Sequence, residues 1–323
     1  MKILVTGAAG FIGSNFVRRV SDHSLQGIAS VIALDSLTYA GVIENLEGVS
    51  PNESFRFVHG DIRDAELVAG LLKDVDAVIN FAAESHVDRS IQSSAEFVST
   101  NMAGVQVLLD AIKTSGQKIR FIQVSTDEVY GSIDEGSWDE NCPLLPNSPY
   151  SASKAGGELL ARSYHRTHGM DVVITRCSNN YGTHHFPEKL IPLFITNLIE
   201  GKKVPVYGHG KNVRDWLHVD DHCRGIHAAL MKGKAGEVYN IGGGRELNNL
   251  EITDLILKAM GADESSIQYV EDRKGHDIRY SVDWTKIKRE LGYEPQVTFE
   301  DGLRETIKWY RENEAWWKPL KNR

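Results

Sequence analysis

Two short segments of this chain carry side chains that could transfer protons. Residues 125–128 (STDE) place a hydroxyl and two adjacent carboxyls at the end of the apolar run 121–124 (FIQV), and Tyr150 and Lys154 stand four residues apart. That spacing is typical of neighbours on one helix face. An ammonium beside a phenol favours the phenolate, and two adjacent carboxyls resist double ionisation, so that one can stay protonated. Together the segments indicate a site that both removes and supplies protons.

The alternation of side chains along a strand sets a condition on this interpretation. On an ideal strand Asp127 and Glu128 would point to opposite faces. Both can serve one site only if the strand has ended and the backbone turns there. The other interpretation is a pair of acids at a strand end, exposed to water.

A glycine-rich turn near the start of the chain could bind a dinucleotide. Residues 2–6 (KILVT) predict a buried strand, GAAGFIG follows at 7–13, and a helical pattern begins after it. In such a turn, free backbone amides and the positive end of a helix dipole meet a pyrophosphate. The spacing is Gly-x-x-Gly-x-x-Gly, and alone it could be only a turn.

Asp35 strengthens the dinucleotide interpretation. It follows the predicted second strand, 31–34, at about the expected distance from the glycines. A carboxylate there accepts hydrogen bonds from ribose hydroxyls and repels a 2′-phosphate, and no arginine or lysine follows closely. This favours NAD over NADP, the alternative being an aspartate that caps a turn. Asp61 and Ile62, after the predicted strand 55–58, are placed to meet an adenine.

Composition restricts the partners. The chain has 323 residues and a formal net charge of −8, which argues against a surface for nucleic acid. It contains no apolar run long enough for a transmembrane helix. Cys142, Cys177 and Cys223 are scattered, without metal-type pairing, as is typical of a reducing compartment. We therefore expect a cytoplasmic protein with no nucleic-acid or membrane partner.

The order of strand and helix patterns predicts the architecture. They alternate up to about residue 176, which indicates βαβ units and an α/β fold with a Rossmann-type, doubly wound parallel sheet. Glycines and prolines then break the pattern, and we place a smaller C-terminal α/β substrate lobe there. The predicted domains are 1–176, to which 219–241 returns, and 177–323. Long helices are expected at 97–113 and 151–168. The side chains of Trp316 and Trp317 are expected to pack in the apolar interior and not to stack on a base.

The motifs are similar to those of the extended short-chain dehydrogenase/reductase superfamily and, within it, of the dTDP-glucose 4,6-dehydratases. The 4-epimerases of the superfamily generally carry small hydroxyl residues where this chain has Asp127 and Glu128. The likeness spans nearly the whole chain and rests on GAAGFIG (7–13), DSLTYAG (35–41), AAESHVDRS (82–90), STDEVYG (125–131), YSASKAGGE (150–158), RCSNNYG (176–182), RDWLHVDDHC (214–223) and RKGHDIRY (273–280).

The resemblance implies a lyase that converts dTDP-glucose to dTDP-4-keto-6-deoxyglucose and water, by internal hydride transfer through tightly bound NAD. Tyr150 would take the proton of the sugar 4-hydroxyl, with its pKa lowered by Lys154 and the nicotinamide charge. Thr126 would hydrogen-bond the 4-oxygen. Glu128 would remove and return the proton on carbon 5, and protonated Asp127 would donate to the departing 6-hydroxyl.

The patterns and the resemblance together assign the binding residues. His218 and His222 have a helix spacing that zinc could use, but no third ligand is indicated, so we predict no metal site. The predicted NAD contacts are Gly7, Gly10, Phe11, Ile12, Gly13, Asp35, Ser36, Leu37, Thr38, Asp61, Ile62, Ala82, Ala83, Ser85, Thr100, Tyr150, Lys154 and Asn180. The predicted substrate contacts are Ser85, His86, Thr126, Asp127, Glu128, Asn179, Glu188, Lys189, Leu190, Pro205, Tyr207, Arg214, Asn249, Arg273, His276 and Tyr280.

Other functions stay open from the sequence. One is a dehydratase for another sugar nucleotide, UDP- or GDP-linked, or a 4-epimerase. A second, of a different class, is a non-catalytic NAD-binding regulator, against which the intact acid pair and Tyr150 with Lys154 argue. The helices at 97–113 and 151–168 resemble those by which the superfamily pairs in a four-helix contact, so a homodimer is expected.

Overall fold

A parallel sheet of seven strands lies at the centre of the part of the chain that the computed structural model describes, residues 1–49 and 54–321. The strands in this part are β1 (Lys2–Thr6), β2 (Ser30–Asp35), β3 (Phe55–His59), β4 (Ala77–Asn80), β5 (Arg120–Thr126), β6 (Val172–Cys177), β7 (Asn179–Tyr181), β8 (Val204–Tyr207), β9 (Val213–His218), β10 (Val238–Ile241), β11 (Glu246–Asn248) and β12 (Ile267–Val270).

The strand order of the central sheet is β10-β6-β5-β4-β1-β2-β3, and neighbouring strands pair in parallel. The direction of winding reverses between β1 and β4. In open sheets of this kind, ligands bind outside the carboxyl ends of the strands at such a reversal. The predicted Rossmann-type, doubly wound α/β fold is confirmed.

Helices cover both faces of this sheet. Along β1, Ile3 and Val5 point into one buried apolar cluster and Leu4 into another, as strict alternation requires. Each side chain buried in this way contributes about 1.5–3 kcal/mol. The helices are α1 (Phe11–Ser21), α2 (Ala65–Leu71), α3 (Val87–Gln92), α4 (Ala95–Val98), α5 (Val105–Ser115), α6 (Pro149–His168), α7 (Leu190–Ile199), α8 (Val219–Lys232), α9 (Asn249–Met260), α10 (Thr285–Leu291), α11 (Phe299–Glu312) and α12 (Glu314–Leu320).

The later part of the chain builds smaller units beside the sheet. β11, β9 and β7 form one small sheet, and β12 pairs with β8. Together with α7, α9, α11 and α12 they enclose a third cluster that includes Ile195, Tyr310 and Trp317. β10 pairs with β6 at the edge of the central sheet, and α8 packs against α1 and β6. Within the described residues, no helix has both the length and the hydropathy needed to cross a membrane.

The helix predicted at 97–113 is interrupted in the structure. α4 continues into a wider π-helical turn, Ser99–Gly104, before α5 begins. In this turn the Asn101 amide donates to the Glu84 carbonyl (3.0 Å) and to Ser153 Oγ (2.8 Å), which ties α6 to the end of β4. One wider turn scarcely alters the apolar spacing, so the sequence pattern could not reveal it. Such turns are frequent at functional sites.

The helix predicted at 151–168 begins two residues earlier in the structure. Ser148 and Ser151 form a capping box at the start of α6, and Pro149 occupies its first turn. Both features stabilise a helix start. This start fixes the position of Tyr150 in the first turn, and Lys154 follows one turn later.

A buried ion pair joins α6 to the sheet. Arg176 on β6 and Glu158 on α6 are only 4% and 2% exposed, and the Arg176 Nε atom lies 3.1 Å from both carboxylate oxygens. Another Arg176 nitrogen donates to the Tyr130 hydroxyl (2.5 Å), which itself donates to Asn240 (2.9 Å). The pair therefore connects the helix that carries Tyr150 with the turn that follows β5.

Replacing Glu158 by Gln should destabilise the fold by about 3–5 kcal/mol, because the buried Arg176 charge would lose its counter-charge. Chemical denaturation measures this change. The matched control is Glu312→Gln, which breaks an exposed pair with Lys308 on α11 and should cost at most about 0.5 kcal/mol. Equal effects of the two substitutions would contradict the structural role of the buried pair.

Candidate active site

A cavity of about 320 Å³ follows the carboxyl ends of the strands from β3 to β6. Its β3 end is formed by the glycine turn and by the residues after β2 and β3, and its β6 end by the residues after β5 and by α6. Of the predicted NAD residues, only Leu37 lies outside its lining in the described part of the chain. The others line it: Gly7, Gly10, Phe11, Ile12, Gly13, Asp35, Ser36, Thr38, Asp61, Ile62, Ala82, Ala83, Ser85, Thr100, Tyr150, Lys154 and Asn180.

The glycine turn leaves no room for side chains. Gly7 has a φ of +66°, and a Cβ atom built on it would lie 2.6 Å from the Ala82 nitrogen. A Cβ atom on Gly13 would lie 2.2 Å from the Gly7 carbonyl oxygen. Glycine is therefore required for the turn and for the close packing of α1 on β1. The backbone at the start of α1 is left open toward the cavity, as pyrophosphate binding demands.

Asp35 is held rigidly at the end of β2. One carboxylate oxygen accepts from the Ala9 amide and the other from the Leu37 amide, both at 2.8 Å. Burial raises the pKa of Asp35, while these amides oppose the rise. Leu37 serves through its backbone and not through a side chain in the cavity. A carboxylate fixed in this way keeps free lone pairs for two ribose hydroxyls.

The chain turns where the acid pair requires it. β5 ends at Thr126, and a 3₁₀ turn, Asp127–Tyr130, begins at once. The Thr126 hydroxyl donates to Asp127 Oδ1 (3.0 Å) and accepts from the Glu128 amide (3.3 Å). Both acids line the cavity, and among the described residues Asp127 Oδ2 has no hydrogen-bond partner. The alternation that would have separated the two carboxyls is thus removed.

The surroundings of the two acids differ. Burial raises the pKa of Asp127 well above its usual range, and the neighbouring Glu128 charge raises it further. Burial also raises the pKa of Glu128, but Arg273, Arg214 and Lys189 lower it. The pKa of Glu128 is still raised overall, but less than that of Asp127, so these surroundings favour the proton on Asp127 over Glu128.

The structure changes the expectation for Tyr150. Burial raises its pKa well above 10, and Glu128, Cys177 and Asp127 raise it further, while a hydrogen bond with Thr126 lowers it. The Lys154 ammonium donates to the Val124 carbonyl (2.7 Å), and burial lowers the pKa of Lys154 to about 8. Burial among carboxyls therefore outweighs the one desolvated ammonium of Lys154, and the lowering of the Tyr150 pKa by Lys154 together with the nicotinamide charge stays a prediction.

The difference in unfolding free energy between Asp127→Asn and the wild type should grow in favour of the variant as the pH rises. A raised pKa in the folded state means that the stability from the bound proton is present below the unfolded pKa and lost above the folded one. From about pH 4 upward, the variant should gain up to about 1.4 kcal/mol per pH unit over the wild type until the raised pKa of folded Asp127 is passed. Denaturation midpoints across this range measure the difference. Asp134→Asn, at an exposed position, is the control and should show no such trend.

The predicted substrate residues fall into three sets. Ser85, Thr126, Asp127, Glu128, Asn179, Glu188 and Lys189 line the cavity. His86, Arg214, Arg273 and Tyr280 do not line it but interact with residues that do. Leu190, Pro205, Tyr207, Asn249 and His276 line no part of it, although Leu190 directly follows the lining residue Lys189. The roles of all of these residues stay predictions.

Two arginines of the second set, Arg214 and Arg273, act electrostatically on Glu128. Arg214 and Arg273 both lower the pKa of Glu128. The Arg214 guanidinium lies 4.2 Å from the ring centre of Tyr280 and donates to the Asp277 carbonyl (2.9 Å). His86 Nε2 lies 3.5 Å from Glu188. Positive charge is therefore concentrated beside Glu128, where a diphosphate could also use it.

Sequence reasoning missed several residues of the cavity. His185 and Phe186 line it, and the His185 ring stacks on Phe11 with centres 4.1 Å apart. Cys177, the last residue of β6, and Ser178, which follows it, line it as well. The position of Cys177 at a strand end was an available signal. His185 and Phe186 lie in an irregular loop with no periodic pattern, and only the fold brings them to the cofactor end.

The two histidines with zinc-like spacing have other partners. His218 caps the start of α8 and accepts from the Asp220 amide (3.3 Å), and His222 Nδ1 lies 2.9 Å from the Asn180 side-chain oxygen. Within residues 1–49 and 54–321, no group of three or more His, Cys, Asp or Glu side chains could hold a metal ion.

The fold and this site define a class of nucleotide-sugar dehydratases. Residues 4–306 match the sequence model of the GDP-mannose 4,6 dehydratase family, and the chain belongs to that family. A dTDP-glucose 4,6-dehydratase of Streptomyces niveus is 57% identical over 325 residues, which cover 100% of this chain and 96% of that relative. The chain thus groups with the dTDP-glucose 4,6-dehydratases.

Solved structures agree with this assignment. The dTDP-glucose 4,6-dehydratase DesIV of Streptomyces venezuelae, with NAD and TYD bound, has a TM-score of 0.97 and 60% identity, over 99% of this chain and 100% of that one. A UDP-glucose 4-epimerase of Thermotoga maritima, with UDP-glucose, has a TM-score of 0.88 at 32% identity, over 97% of this chain and 100% of that one. The architecture is therefore shared with this epimerase, and the fold alone does not distinguish the two activities.

Proposed function

We propose that this chain is a dTDP-glucose 4,6-dehydratase, an NAD-dependent hydro-lyase that forms dTDP-4-keto-6-deoxyglucose and water. One observation carries the proposal: the 3₁₀ turn after β5 puts Asp127 and Glu128 into the same cavity as Tyr150, Lys154 and the glycine turn. An oxidation needs only the tyrosine and the dinucleotide. The additional elimination of water needs one base and one acid, and the cavity holds both.

The residues of the cavity fit NAD. The glycine turn, which has no room for side chains, suits the pyrophosphate. The fixed Asp35 carboxylate suits the ribose, and the cavity lining after β3 suits the adenine. Held by these residues, NAD would supply the acceptor for a hydride from sugar carbon 4 and the donor of a hydride to carbon 6, and its nicotinamide charge would favour the Tyr150 phenolate. The cofactor is not consumed overall, so tight binding is expected.

The protein residues then carry the protons. Tyr150 accepts the proton of the 4-hydroxyl, and Thr126, which lines the same cavity, would hold the 4-oxygen. The resulting ketone acidifies the proton on carbon 5, and Glu128 removes it. Asp127 donates its proton to the departing 6-hydroxyl, which leaves as water. Glu128 then returns its proton to carbon 5. Because Tyr150 has gained one proton and Asp127 has lost one, Tyr150 must release its proton and Asp127 must take one up, directly or through solvent, before the next turnover.

The lobe residues would hold the rest of the substrate. Arg214 and Arg273 are proposed to neutralise the diphosphate, since guanidinium groups match phosphate geometry. We further propose that residues 1–176 with 219–241 form the NAD-binding domain and that 177–323 form the sugar-nucleotide lobe. The three free cysteines fit a cytoplasmic enzyme.

The test is incubation with a panel of nucleotide sugars and no added reductant, followed by mass spectrometry. dTDP-glucose should lose one water and gain a ketone. Preferential conversion of a UDP- or GDP-hexose would redirect the proposal to another dehydratase. Inversion at carbon 4 without water loss would identify an epimerase, and NAD binding without any conversion would favour a regulator.

A homodimer through α4 to α6 is also proposed. Val98 on α4 and Leu159 on α6 are 49% and 50% exposed, and these two helices are in contact, so both apolar side chains are available to a partner. A partner's α4 to α6 would cover them and form a four-helix contact. Light scattering at micromolar concentration should give twice the monomer mass, and Leu159→Glu should reduce it toward the monomer.

A further inference from the structure

The C-terminal helix α12 is linked to the glycine turn. The Trp316 indole on α12 donates to the Asn45 side-chain oxygen (3.0 Å), and the Asn45 amide donates to the Ala9 carbonyl (2.9 Å). The Ala9 amide in turn donates to Asp35 (2.8 Å). A continuous chain of hydrogen bonds therefore runs from α12 to the carboxylate that faces the ribose.

A second link reaches the same end of the cavity through the loop before α7. The Tyr310 hydroxyl on α11 donates to the His185 carbonyl, and the His185 ring stacks on Phe11 at the start of α1. Both rings line the cavity. α11 and α12 thus support the pyrophosphate end of the site from behind, without lining it themselves.

Apolar contacts also connect α12 with the segment that follows β2. Leu320, Val42 and Phe186 form a small buried cluster against which Trp316 also packs. Val42 lies in the segment 36–46, which follows Asp35 and supplies the lining residues Ser36, Thr38 and Ala40. This segment, here called the ribose loop, is therefore held down by α12 through a hydrogen bond and through apolar packing.

Asn45 is the central residue of this arrangement. Its side chain is 2% exposed, its backbone carbonyl accepts from Arg18 (2.5 Å), and its two side-chain groups are used by Trp316 and Ala9. Neither Asn45 nor Trp316 lines the cavity, and no proton transfer described above involves them. A buried amide with every group paired across three elements fixes their relative positions.

We propose that α12 is a strap that retains the dinucleotide, with Trp316 and Asn45 as positioning residues for the ribose loop. The proposal rests on the proposed function, in which one NAD serves many turnovers and must not leave between them. For NAD to leave, the ribose loop has to move away from Asp35. That movement requires the Trp316–Asn45 hydrogen bond and the Leu320–Val42 contact to break first.

Trp316→Phe tests the strap in the NAD-loaded protein, because phenylalanine keeps the packing and removes the indole N–H. NAD release is followed with an added NAD-consuming enzyme that traps the free cofactor, in the absence of any sugar nucleotide. Loss of one hydrogen bond should accelerate release about threefold to tenfold. Asn45→Ala should also accelerate release, and the double variant should show less than the product of the two effects.

The matched control is Tyr293→Phe. The Tyr293 hydroxyl donates to the Gly242 carbonyl (3.0 Å), so this substitution removes a hydrogen bond of equal length that involves neither α12 nor the ribose loop. Denaturation midpoints of both variants show how far each loosens the fold. Faster release in Trp316→Phe than in Tyr293→Phe supports the strap, and equal or reversed rates overturn it.

The proposed function and the strap can fail separately. A wild-type protein that retains NAD but converts no nucleotide sugar would refute the dehydratase, and the release assay would still decide on the strap. A wild-type protein that exchanges NAD freely would overturn the strap even if it dehydrates dTDP-glucose.

Discussion

Tyr150→Phe should lower the turnover of dTDP-glucose by about 10²–10⁴-fold, the usual contribution of a general base, and leave NAD bound. The substitution removes the only atom that can accept the 4-hydroxyl proton in the proposed mechanism and keeps the ring that packs against Phe97. Product formation is measured by mass spectrometry, and bound NAD is measured after denaturing the desalted protein.

The control for this variant is Tyr164→Phe on the same helix. The Tyr164 hydroxyl donates to Asp110 (2.7 Å) on the outer side of α5 and does not line the cavity. The Tyr164→Phe variant should therefore retain turnover of dTDP-glucose. Full activity of Tyr150→Phe would refute the assigned role, and loss of bound NAD in this variant would show that the tyrosine acts in binding instead.

Glu128→Gln and Asp127→Asn should each lower water loss by about 10²–10⁴-fold, but at different steps. Glu128 is assigned to the proton on carbon 5, so its variant should also lose exchange of that proton with solvent deuterium. Asp127 is assigned to the leaving hydroxyl, so its variant should continue the exchange while dehydration stalls. Mass spectrometry in deuterated water separates the two outcomes.

The chain offers a matched control for the acid pair. Asp134 and Glu135 form the same dipeptide a few residues later, and both are exposed. Asp134→Asn and Glu135→Gln should change neither exchange nor dehydration. If Asp127→Asn abolished exchange and Glu128→Gln preserved it, the roles of the two carboxyls would be reversed.

The two carboxyls of the acid pair have different surroundings, and this is why the two substitutions are expected to have different effects. Glu128 has three cationic side chains around it, while the pKa of Asp127 is raised by burial and by Glu128 itself. Because these cations come from distant parts of the sequence, the order of the two pKa values is a property of the folded chain. The dipeptide alone does not specify which carboxyl holds the proton.

The sequence by itself determined the sheet, the glycine turn and the identity of the reactive groups. Strand alternation and helix spacing are local properties, and a glycine that tolerates no Cβ must be a glycine in any chain that folds in this way. The spacing of Tyr150 and Lys154 on one helix was likewise a local matter. These features can be predicted from residues close together in the sequence.

Only the tertiary structure decided how the groups act together. The turn that ends β5 brings both carboxyls to one cavity, whereas a strand that continued would have separated them. Burial of Tyr150 among those carboxyls raises its pKa, an effect that the spacing of Tyr150 and Lys154 could not reveal. His185 and Trp316 reach the cofactor end from loops and helices far along the chain. The burial of a side chain, the charges near it and its long-range contacts all depend on distances between residues that are remote in sequence. Only folding sets those distances.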